Sequence, residues 1–506
     1  MTIQTLAFIL AFVYRILTIS CLSLTVDEIT PEKGVVFSYN LGYPTLGYSI
    51  STAGDINGDG RNDILIGAPA ANLNGEVYVI YGTEKPLGTI DFSLPLDPEI
   101  GFTLRGNLER GRLGTSVSNA GDFNDDGIDD IIVSAPSANL SAGVVYVIYG
   151  SKTRKSDLLL DLELDPNDGF VIFGNYGESL GKDVDEAGDV NGDGISDVIV
   201  GSSDFNFQQG KAYVIYGSKG NQQGNIYTES FDLSQGFWLT GTLYSQFGKA
   251  VSGAGDLNGD GIGDIVVGAP NTRIGTLYCG KAYVIFGSQT SLSNKDFNTQ
   301  TLNSNEGFSI QGTSMSSLGI SVSGVGDINN DGFEDLVIGA SKTNNAQGQV
   351  YVIFGGNETF PSIDLTKDQI SPSQGFTISP SVDMKPIGAA VNAAGDFNGD
   401  EIPDVLLGSN SMNSYIGGVL VLNGEKGDGE DITVSSPVDL SKWSYFEGKD
   451  LATAIGYSVS SAGDFNGDGI DDIIFGSTDA YFGVGGAWMV FGSSNVWGWV
   501  VINYHY

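Results

Sequence analysis

The nine residues Asp189-Val190-Asn191-Gly192-Asp193-Gly194-Ile195-Ser196-Asp197 carry the pattern that decides the fold of this chain. The same pattern, Asp-x-Asn-x-Asp-Gly-x-x-Asp, occurs seven times, with one exception at its Gly position. The first residues of the copies are 67, 67, 67, 71, 69 and 68 residues apart. A fixed period of this size indicates stacked copies of one supersecondary unit. The copies begin at Asp55, Asp122, Asp189, Asp256, Asp327, Asp396 and Asp464.

The residues around the third copy predict four strands per repeat. A β-branched and aromatic run, 169–174, and a short alternating segment, 181–185, precede the nine residues. Two further runs, 198–201 and 211–217, follow them, and their Val, Ile and Tyr content with flanking Gly is typical of strands. Four strands in about 70 residues are the size of one propeller blade.

Composition agrees with an all-β chain. The 506 residues include 73 Gly and only 15 Pro, which suits short strands joined by tight turns. The hydrophobic content of 41% can fill a core, but a chain this long favours several small cores side by side. The Gly-His and Trp-Asp signatures of WD40 blades are absent. The sequence therefore predicts a seven-bladed β-propeller with four strands per blade.

The repeated loops carry oxygen ligands at alternating positions. Ca²⁺ takes six to eight oxygen ligands, and carboxylates alternating with a turn-forming Gly can present them from one short loop. In the first copy we predict side-chain ligands from Asp55, Asn57, Asp59 and Asp63, and a carbonyl ligand from Arg61. The bidentate Glu that closes an EF-hand is absent, and a strand rather than a helix follows.

The other six copies present the same set, so the sequence predicts up to seven Ca²⁺ ions. Asx turns alone would explain alternating Asp and Asn, but such turns do not require the Asp at the ninth position. The remaining predicted side-chain ligands are Asp122, Asn124, Asp126, Asp130, Asp189, Asn191, Asp193, Asp197, Asp256, Asn258, Asp260, Asp264, Asp327, Asn329, Asp331, Asp335, Asp396, Asn398, Asp400, Asp404, Asp464, Asn466, Asp468 and Asp472. The remaining predicted carbonyl ligands are those of Ile128, Ile195, Ile262, Phe333, Ile402 and Ile470.

The sixth loop departs from the pattern, because Glu401 stands where the other six copies have Gly. A left-handed backbone is expected at that bend, and it costs a non-Gly residue about 1–2 kcal/mol. We therefore predict that the sixth loop is the weakest calcium site.

Two further motifs carry a family resemblance. The first repeat reads Leu46-Gly47 before its metal loop and Gly67-Ala68-Pro69 after it, and the fourth reads Phe247-Gly248 and Gly268-Ala269-Pro270. The other repeats keep softened forms of both motifs over residues 34–492. In combination with the loops, these motifs resemble the FG-GAP repeats of the integrin α-subunit β-propeller and of related bacterial propellers. The resemblance implies the same ring, with calcium hairpin loops and no catalytic residues.

The frame of the repeats predicts how the ring closes. In the integrin-like arrangement the first strand of each repeat is the outer strand of the preceding blade. The repeats begin with such a strand, 35–40, and end after a fourth-strand sequence of the repeat, 487–491. Residues 35–40 should therefore complete the last blade. The apolar tail 497–504 is a second candidate for that edge.

The formal charge of −38 excludes a nucleic-acid or anionic-membrane binder, since a phosphate backbone would repel the chain. A cation partner is implied instead. The three Asp positions of the repeated pattern account for 21 of the 61 acidic residues, and seven Ca²⁺ ions would reduce the formal charge to −24.

The N-terminal residues predict an extracellular or cell-surface location. The apolar stretch 6–24 is typical of a cleaved secretory signal, with a membrane anchor, a lipid-modified Cys21 or an ordered strand as alternatives. We divide the chain into a signal peptide or signal-anchor at 1–25, the propeller at 34–495 and a C-terminal tail at 496–506. No later stretch is apolar enough to span a membrane. Sequons at Asn139 and Asn357 fit a secreted glycoprotein.

The sequence favours a binding module over an enzyme. Its single histidine, His505, lies next to the C-terminus, so most general-base schemes lack their central residue. The leading prediction is a calcium-stabilised recognition or adhesion module that binds protein or glycan through propeller loops. A lectin-like propeller is an alternative, although the aromatic residues that recur at Tyr78 and its equivalents suit core packing. A polysaccharide-active enzyme using acid pairs such as Asp129 and Asp130 is a further one.

Overall fold

The structure of the chain is a computed structural model. It describes residues 23–25, 29–220, 224–290, 292–357, 359–381, 386–411, 416–435, 438–448, 454–478, 484–494 and 499–502. Most of the predicted signal segment, including Cys21, and His505 lie outside these residues. No helix among the described residues is long and apolar enough to cross a membrane.

Seven sheets form the blades of the predicted propeller, each with four antiparallel strands. The first, innermost strands are Ile50–Gly54, Val117–Gly121, Asp183–Gly188, Ala250–Gly255, Ser321–Gly326, Ala390–Gly395 and Ser458–Gly463. The second strands are Asp63–Ala68, Asp130–Ala135, Asp197–Ser202, Asp264–Ala269, Asp335–Gly339, Asp404–Ser409 and Asp472–Ser477. The third strands are Glu76–Ile80, Val144–Ile148, Lys211–Ile215, Lys281–Ile285, Val350–Ile353, Gly418–Leu422 and Gly486–Val490. The fourth strands are Gly101–Gly106, Gly169–Phe173, Gly236–Thr240, Gly307–Gln311, Gly375–Pro380, Trp443–Gly448 and Gly34–Ser38.

A short fifth strand, which sequence reasoning missed, pairs in parallel with the fourth strand of every blade. In six blades this strand belongs to the connection between the third and fourth strands of the next blade. In the sixth blade it is Trp499–Ile502, which follows the seventh blade in the chain. The fifth strands are Leu158–Leu160, Ile226–Tyr227, Lys295–Asp296, Ile363–Asp364, Ile432–Val434, Trp499–Ile502 and Thr89–Asp91. Their two to four residues are too few for a recognisable sequence period.

The ring closes as the first candidate predicted. Gly34–Ser38 pairs with the third strand of the seventh blade, Gly34 lying opposite Val490. The tail does not take this edge, so the second candidate was wrong. Trp499–Ile502 instead pairs in parallel with Trp443–Gly448 of the sixth blade. Ser23–Thr25 pairs in parallel with the other edge of Trp499–Ile502. Both terminal segments thus add strands to the sixth blade.

The core consists of seven hydrophobic clusters, one between each pair of neighbouring blades. The innermost strand of each blade contacts that of the next, and the seventh contacts the first. The repeated tyrosines Tyr78, Tyr146, Tyr213, Tyr283 and Tyr351 are all buried, which supports their predicted role in packing. The prediction of several small cores is confirmed.

The connections on the rim away from the nine-residue loops contain the remaining short elements. Helical turns lie at Ala71–Leu73, Ala138–Ser141, Phe205–Gln208 and Thr343–Ala346, and a small hairpin pairs Arg273–Ile274 with Leu277–Tyr278. Another short helical turn, Thr228–Ser230, follows the fifth strand Ile226–Tyr227.

Candidate metal loops

Each nine-residue loop joins the first and second strands of one blade, so all seven loops lie on the same rim of the ring. The loops are 55–63, 122–130, 189–197, 256–264, 327–335, 396–404 and 464–472. A Gly with positive φ immediately precedes every loop, where the ladder of the first two strands shifts register. The repeated pattern therefore gives one repeated position in space.

The first carboxylate of each loop shapes the turn. In the third blade, Oδ1 of Asp189 accepts a hydrogen bond from the amide of Asp193 at 3.0 Å, and Oδ2 accepts one from Gly194 at 2.7 Å. Oδ1 of Asp193 in turn accepts the amide of Ile195 at 3.0 Å. The same three bonds occur in the other six loops.

The ninth carboxylate is the most buried part of each loop. Asp197 is 0% exposed, and its Oδ1 accepts the amide of Gly217 at 2.8 Å. Burial, and to a smaller degree the neighbouring Asp193 and Asp189 charges, raise its pKa to about 8. All seven equivalents are 0% exposed and bond to an equivalent Gly, and their pKa values are raised to about 7 or 8. A buried carboxylate of this kind is costly without a compensating cation.

The turn that holds the ninth carboxylate also links neighbouring blades. Gly217 follows the third strand of its blade, and the next residue, Ser218, donates its amide to the carbonyl of Phe123 in the preceding blade's loop at 3.0 Å. An equivalent bond occurs at all seven junctions, including Thr83 to Phe465 between the first and seventh blades. The metal loops are therefore part of the contact that holds the ring closed.

The side chain at the eighth position of the loop, which the sequence pattern does not specify, forms a second link between neighbouring blades. Oδ2 of Asp129 accepts the amide of Asp55, the first residue of the preceding loop, at 2.7 Å. A side chain at Gly54 would collide with the Asp129 carboxylate, which explains the Gly before the loop. Asp471 and Asn62 bond to Asp396 and Asp464 in the same way at two other junctions. The acid pair Asp129 and Asp130 thus divides between a blade junction and a metal loop.

The sixth loop keeps the fold of the others under strain. Glu401 adopts φ 69°, whereas Gly194 at the same position of the third loop has φ 88°. The expected left-handed bend is confirmed. A second left-handed position, which sequence reasoning missed, is the fourth residue, where Asp125 and Asn330 replace Gly in two loops.

The donor set of each loop fits Ca²⁺. Four side chains with oxygen atoms lie on one short turn, and among the described residues no backbone amide donates to the carbonyls of the seven seventh-position residues. In the present arrangement the carboxylates bond to amides, and no three acidic side chains in the described ranges converge to metal-ligand spacing. A carboxylate oxygen that accepts one amide keeps capacity for a cation.

These features define a class: a seven-bladed propeller with one acidic hairpin loop per blade on a single rim. The family model for the FG-GAP repeat matches residues 46–80, 113–148, 186–215, 247–284 and 318–353, which lie in the first five blades. The chain is accordingly an FG-GAP repeat protein of integrin α-like type. The sixth and seventh blades repeat the same hydrogen bonds on more divergent residues.

Similar proteins fall into two groups. The chain is 30% identical over 327 residues to integrin alpha pat-2 of Caenorhabditis elegans, covering 61% of this chain and 23% of that protein. It is 28% identical over 273 residues to integrin alpha-5 of Xenopus laevis, covering 52% and 23%. It is 34% identical over 207 residues to phosphatidylinositol-glycan-specific phospholipase D of Bos taurus, covering 38% and 23%. The chain thus spans about a quarter of the length of these relatives.

Proposed function

We propose that this chain is a calcium-stabilised extracellular recognition module that binds a protein partner through the rim opposite the metal loops. The observation that carries the proposal is the segregation of exposed apolar side chains. Of 17 exposed large hydrophobic residues in the described part of the chain, 12 lie in connections on that rim, and none lies in a metal loop. The 12, which we call the apolar rim, are Leu41, Tyr43, Leu73, Leu140, Tyr176, Phe207, Leu243, Tyr244, Ile274, Leu277, Tyr278 and Met315.

Three members of the apolar rim are presented by strained turns on adjacent blades. Leu73, Leu140 and Phe207 have φ values of 69°, 57° and 58°, and their side chains are 82%, 80% and 79% exposed. A left-handed backbone costs a non-Gly residue about 1–2 kcal/mol, and full exposure of a large apolar group gains nothing in the free chain. Strain of this kind clusters at ligand-binding sites, and clustered apolar groups on a surface mark interaction sites.

Calcium would act on the other rim. The first, third, fifth and ninth side chains of each loop, with the seventh carbonyl, would hold one ion, and its charge would offset the buried carboxylate and its neighbours. Because each loop also forms the junction between two blades, an ion bound there would stabilise the whole ring. Binding to the folded chain alone raises its stability by mass action.

An extracellular location follows from the same chemistry. Extracellular calcium modules bind at about 10⁻⁴–10⁻³ M, so such sites would be empty in a calcium-poor cytosol. The single histidine and the use of the acid pairs within the loops and junctions support a non-enzymatic role. The relatives include both integrin α subunits and phospholipases, and we assign this chain the binding role.

The test is binding of the purified chain to intact cells in millimolar calcium. Leu73→Ser, Leu140→Ser and Phe207→Ser combined should remove at least about 90% of the binding, because three interface anchors dominate affinity. The matched control combines Leu94→Ser, Leu159→Ser and Leu233→Ser, which change exposed residues in the connections between third and fourth strands that are not members of the apolar rim.

The chemistry of the partner is tested on the same cells. Protease treatment of the cell surface should abolish binding, whereas enzymatic removal of surface glycans should leave it intact. Binding that survives both the rim substitutions and the protease would contradict the proposal.

A further inference from the structure

We propose that a polar groove at the fifth blade binds a neutral oligosaccharide. The groove has a volume of about 1290 Å³, and two members of the apolar rim, Tyr278 and Met315, contribute to its lining. Its walls are the helical turn Thr343–Ala346, the connection 313–317 and the fifth strand Ile432–Val434. The proposal concerns a different surface from the three turns tested above and stands independently of them.

The groove exists because the fifth blade carries the short side chain of Ser379 where the first blade carries the long side chain of Arg105. In the first blade, Arg105 crosses this place and pairs with Glu76 at 3.4 Å and with Asp157 at 2.8 Å. The residues at the equivalent positions of Arg105 and Glu76 in the fifth blade are Ser379 and Gln349. The ion-paired cover of the first blade is therefore missing here.

The helical turn Thr343–Ala346, which forms one wall of the groove, also differs from the equivalent turn of the first blade. Asn345 of the fifth blade, with φ 61°, occupies the position of Leu73, with φ 69°, in the first blade. Both side chains are exposed, but one is an amide and the other is apolar. Asn345 thus gives the groove an amide at its edge, where the first, second and third blades present Leu73, Leu140 and Phe207.

The floor of the groove is a hydrogen-bonded set of amide and hydroxyl groups with one carboxylate, that of Asp431. The hydroxyl of Tyr351 donates to Oε1 of Gln349 at 2.9 Å, and Nε2 of Gln349 donates to Oγ of Ser379 at 3.1 Å. Oδ1 of Asp431 accepts the amide of Thr377 at 2.8 Å. Amides and hydroxyls offer donors and acceptors side by side, which matches sugar hydroxyls because each of these both donates and accepts.

Size and charge narrow the ligand class. The volume exceeds the range of about 300–1,000 Å³ that is usual for drug-sized ligands, so the groove can hold several sugar rings. Its lining has one basic residue, Lys342, and two acidic ones, Asp368 and Asp431. Recognition of acidic sugars uses clusters of basic side chains. The lining and the formal charge of −38 both favour a neutral ligand.

A peptide fits less well. Peptides that bind beside a sheet obtain affinity from main-chain hydrogen bonds along an edge strand. The outermost strand here, Ile432–Val434, has three residues and offers few such bonds. The groove does offer side-chain amides and hydroxyls, which favours an oligosaccharide.

The experiment is a titration of the whole chain, in millimolar calcium, with panels of neutral and acidic oligosaccharides, followed by calorimetry on those that bind. The groove variant Asn345→Leu with Ser379→Arg introduces residues that the first blade holds at the same positions. The control, Leu159→Asn, places an amide at an exposed position that lies outside both the groove and the apolar rim. Thermal unfolding of each variant verifies folding.

We expect a neutral oligosaccharide to bind, the groove variant to lose at least tenfold in affinity, and the control to bind unchanged. If the groove variant unfolds, Gln349→Leu, which removes the central amide of the floor, should give the same loss. Binding that both variants leave unchanged would overturn the proposal, as would binding of only acidic sugars or of no sugar. Failure here leaves the cell-binding result of the rim variant unaffected.

Discussion

The nine-residue loops of the third and sixth blades form the same hydrogen bonds, but different side chains lie beneath them. Beneath the third loop, the rings of Tyr216 and Phe237 lie 6.4 Å apart. The equivalent residues of the sixth blade are Asn423 and Ser444. Asn423 lines two cavities of about 500 and 280 Å³, and its Oδ1 is buried with no hydrogen-bond partner among the described residues.

Despite these differences, both loops show the same bonds from the first, fifth and ninth carboxylates. The conformation of each loop is therefore set by its own backbone and by the turn that contacts it. The side chains that pack beneath the loop set the stability of the blade. We therefore expect changes to the packing to move stability and changes to the loop to move calcium affinity.

The largest effect should come from removing the ring that the sixth blade lacks. Phe237→Ala deletes a side chain that is 1% exposed between the third and fourth blades, and it should lower the free energy of unfolding by about 3–5 kcal/mol. Ser444→Ala should cost only about 1 kcal/mol, since one hydroxyl is lost. Denaturant unfolding measures both. Equal losses would show that the two blades do not differ in packing.

The next effect concerns the turn that links loops and blades. A Cβ at Gly217 would lie 2.3 Å from the carbonyl oxygen of Ser196 and 2.9 Å from that of Phe123. Gly217→Ala should therefore cost about 1–3 kcal/mol and weaken calcium binding at the third loop. Gly224→Ala is the matched control, because nothing lies within 4 Å of its Cβ position. A neutral Gly217→Ala, judged by thermal unfolding and calcium titration, would disprove the link.

A third change repairs the sixth blade. Asn423→Tyr with Ser444→Phe restores the aromatic pair, fills cavity space and removes a buried unpaired oxygen. Cavity filling of this kind commonly raises stability by about 0.5–2 kcal/mol. Thermal unfolding should show the gain with calcium and with chelator alike. A fall in melting temperature would mean that the cavities are needed by the fold.

The smallest effect is at the bend of the sixth loop. Glu401→Gly relieves a left-handed residue, and Gly194→Glu creates the same strain in the third loop, each changing stability by about 1 kcal/mol in opposite directions. Calcium titration should show one weak site in the unchanged chain, none after Glu401→Gly and two after Gly194→Glu. Seven equivalent sites in the unchanged chain would contradict the prediction.

Much of this architecture could be predicted because the repeat is visible at every level. The repeat period predicted the number of blades. The β-branched residues within 35–40 predicted the strand that completes the last blade, because strand and turn signals of this kind depend on the local sequence. The fifth strands could not be predicted, because two to four residues carry no period and their pairing depends on the neighbouring blade.

The repeated loop conformation could be predicted from the sequence, whereas the links between neighbouring blades could not. The role of the Asp and Asn side chains as calcium ligands stays a prediction, and the eighth position varies from Asp129 to Gly263 and so shows no pattern. The Gly that ends each third strand, such as Gly217, was a visible signal in all seven repeats. Its role needed the structure, because one of the two carbonyls that it approaches, that of Phe123, belongs to another blade.

Thermal unfolding in millimolar calcium and again in excess chelator, with bound calcium counted in parallel, shows whether calcium in the loops holds the ring together. We predict close to seven ions and a melting temperature that falls steeply when they are removed. An unchanged melting temperature, or only one or two bound ions, would contradict this prediction.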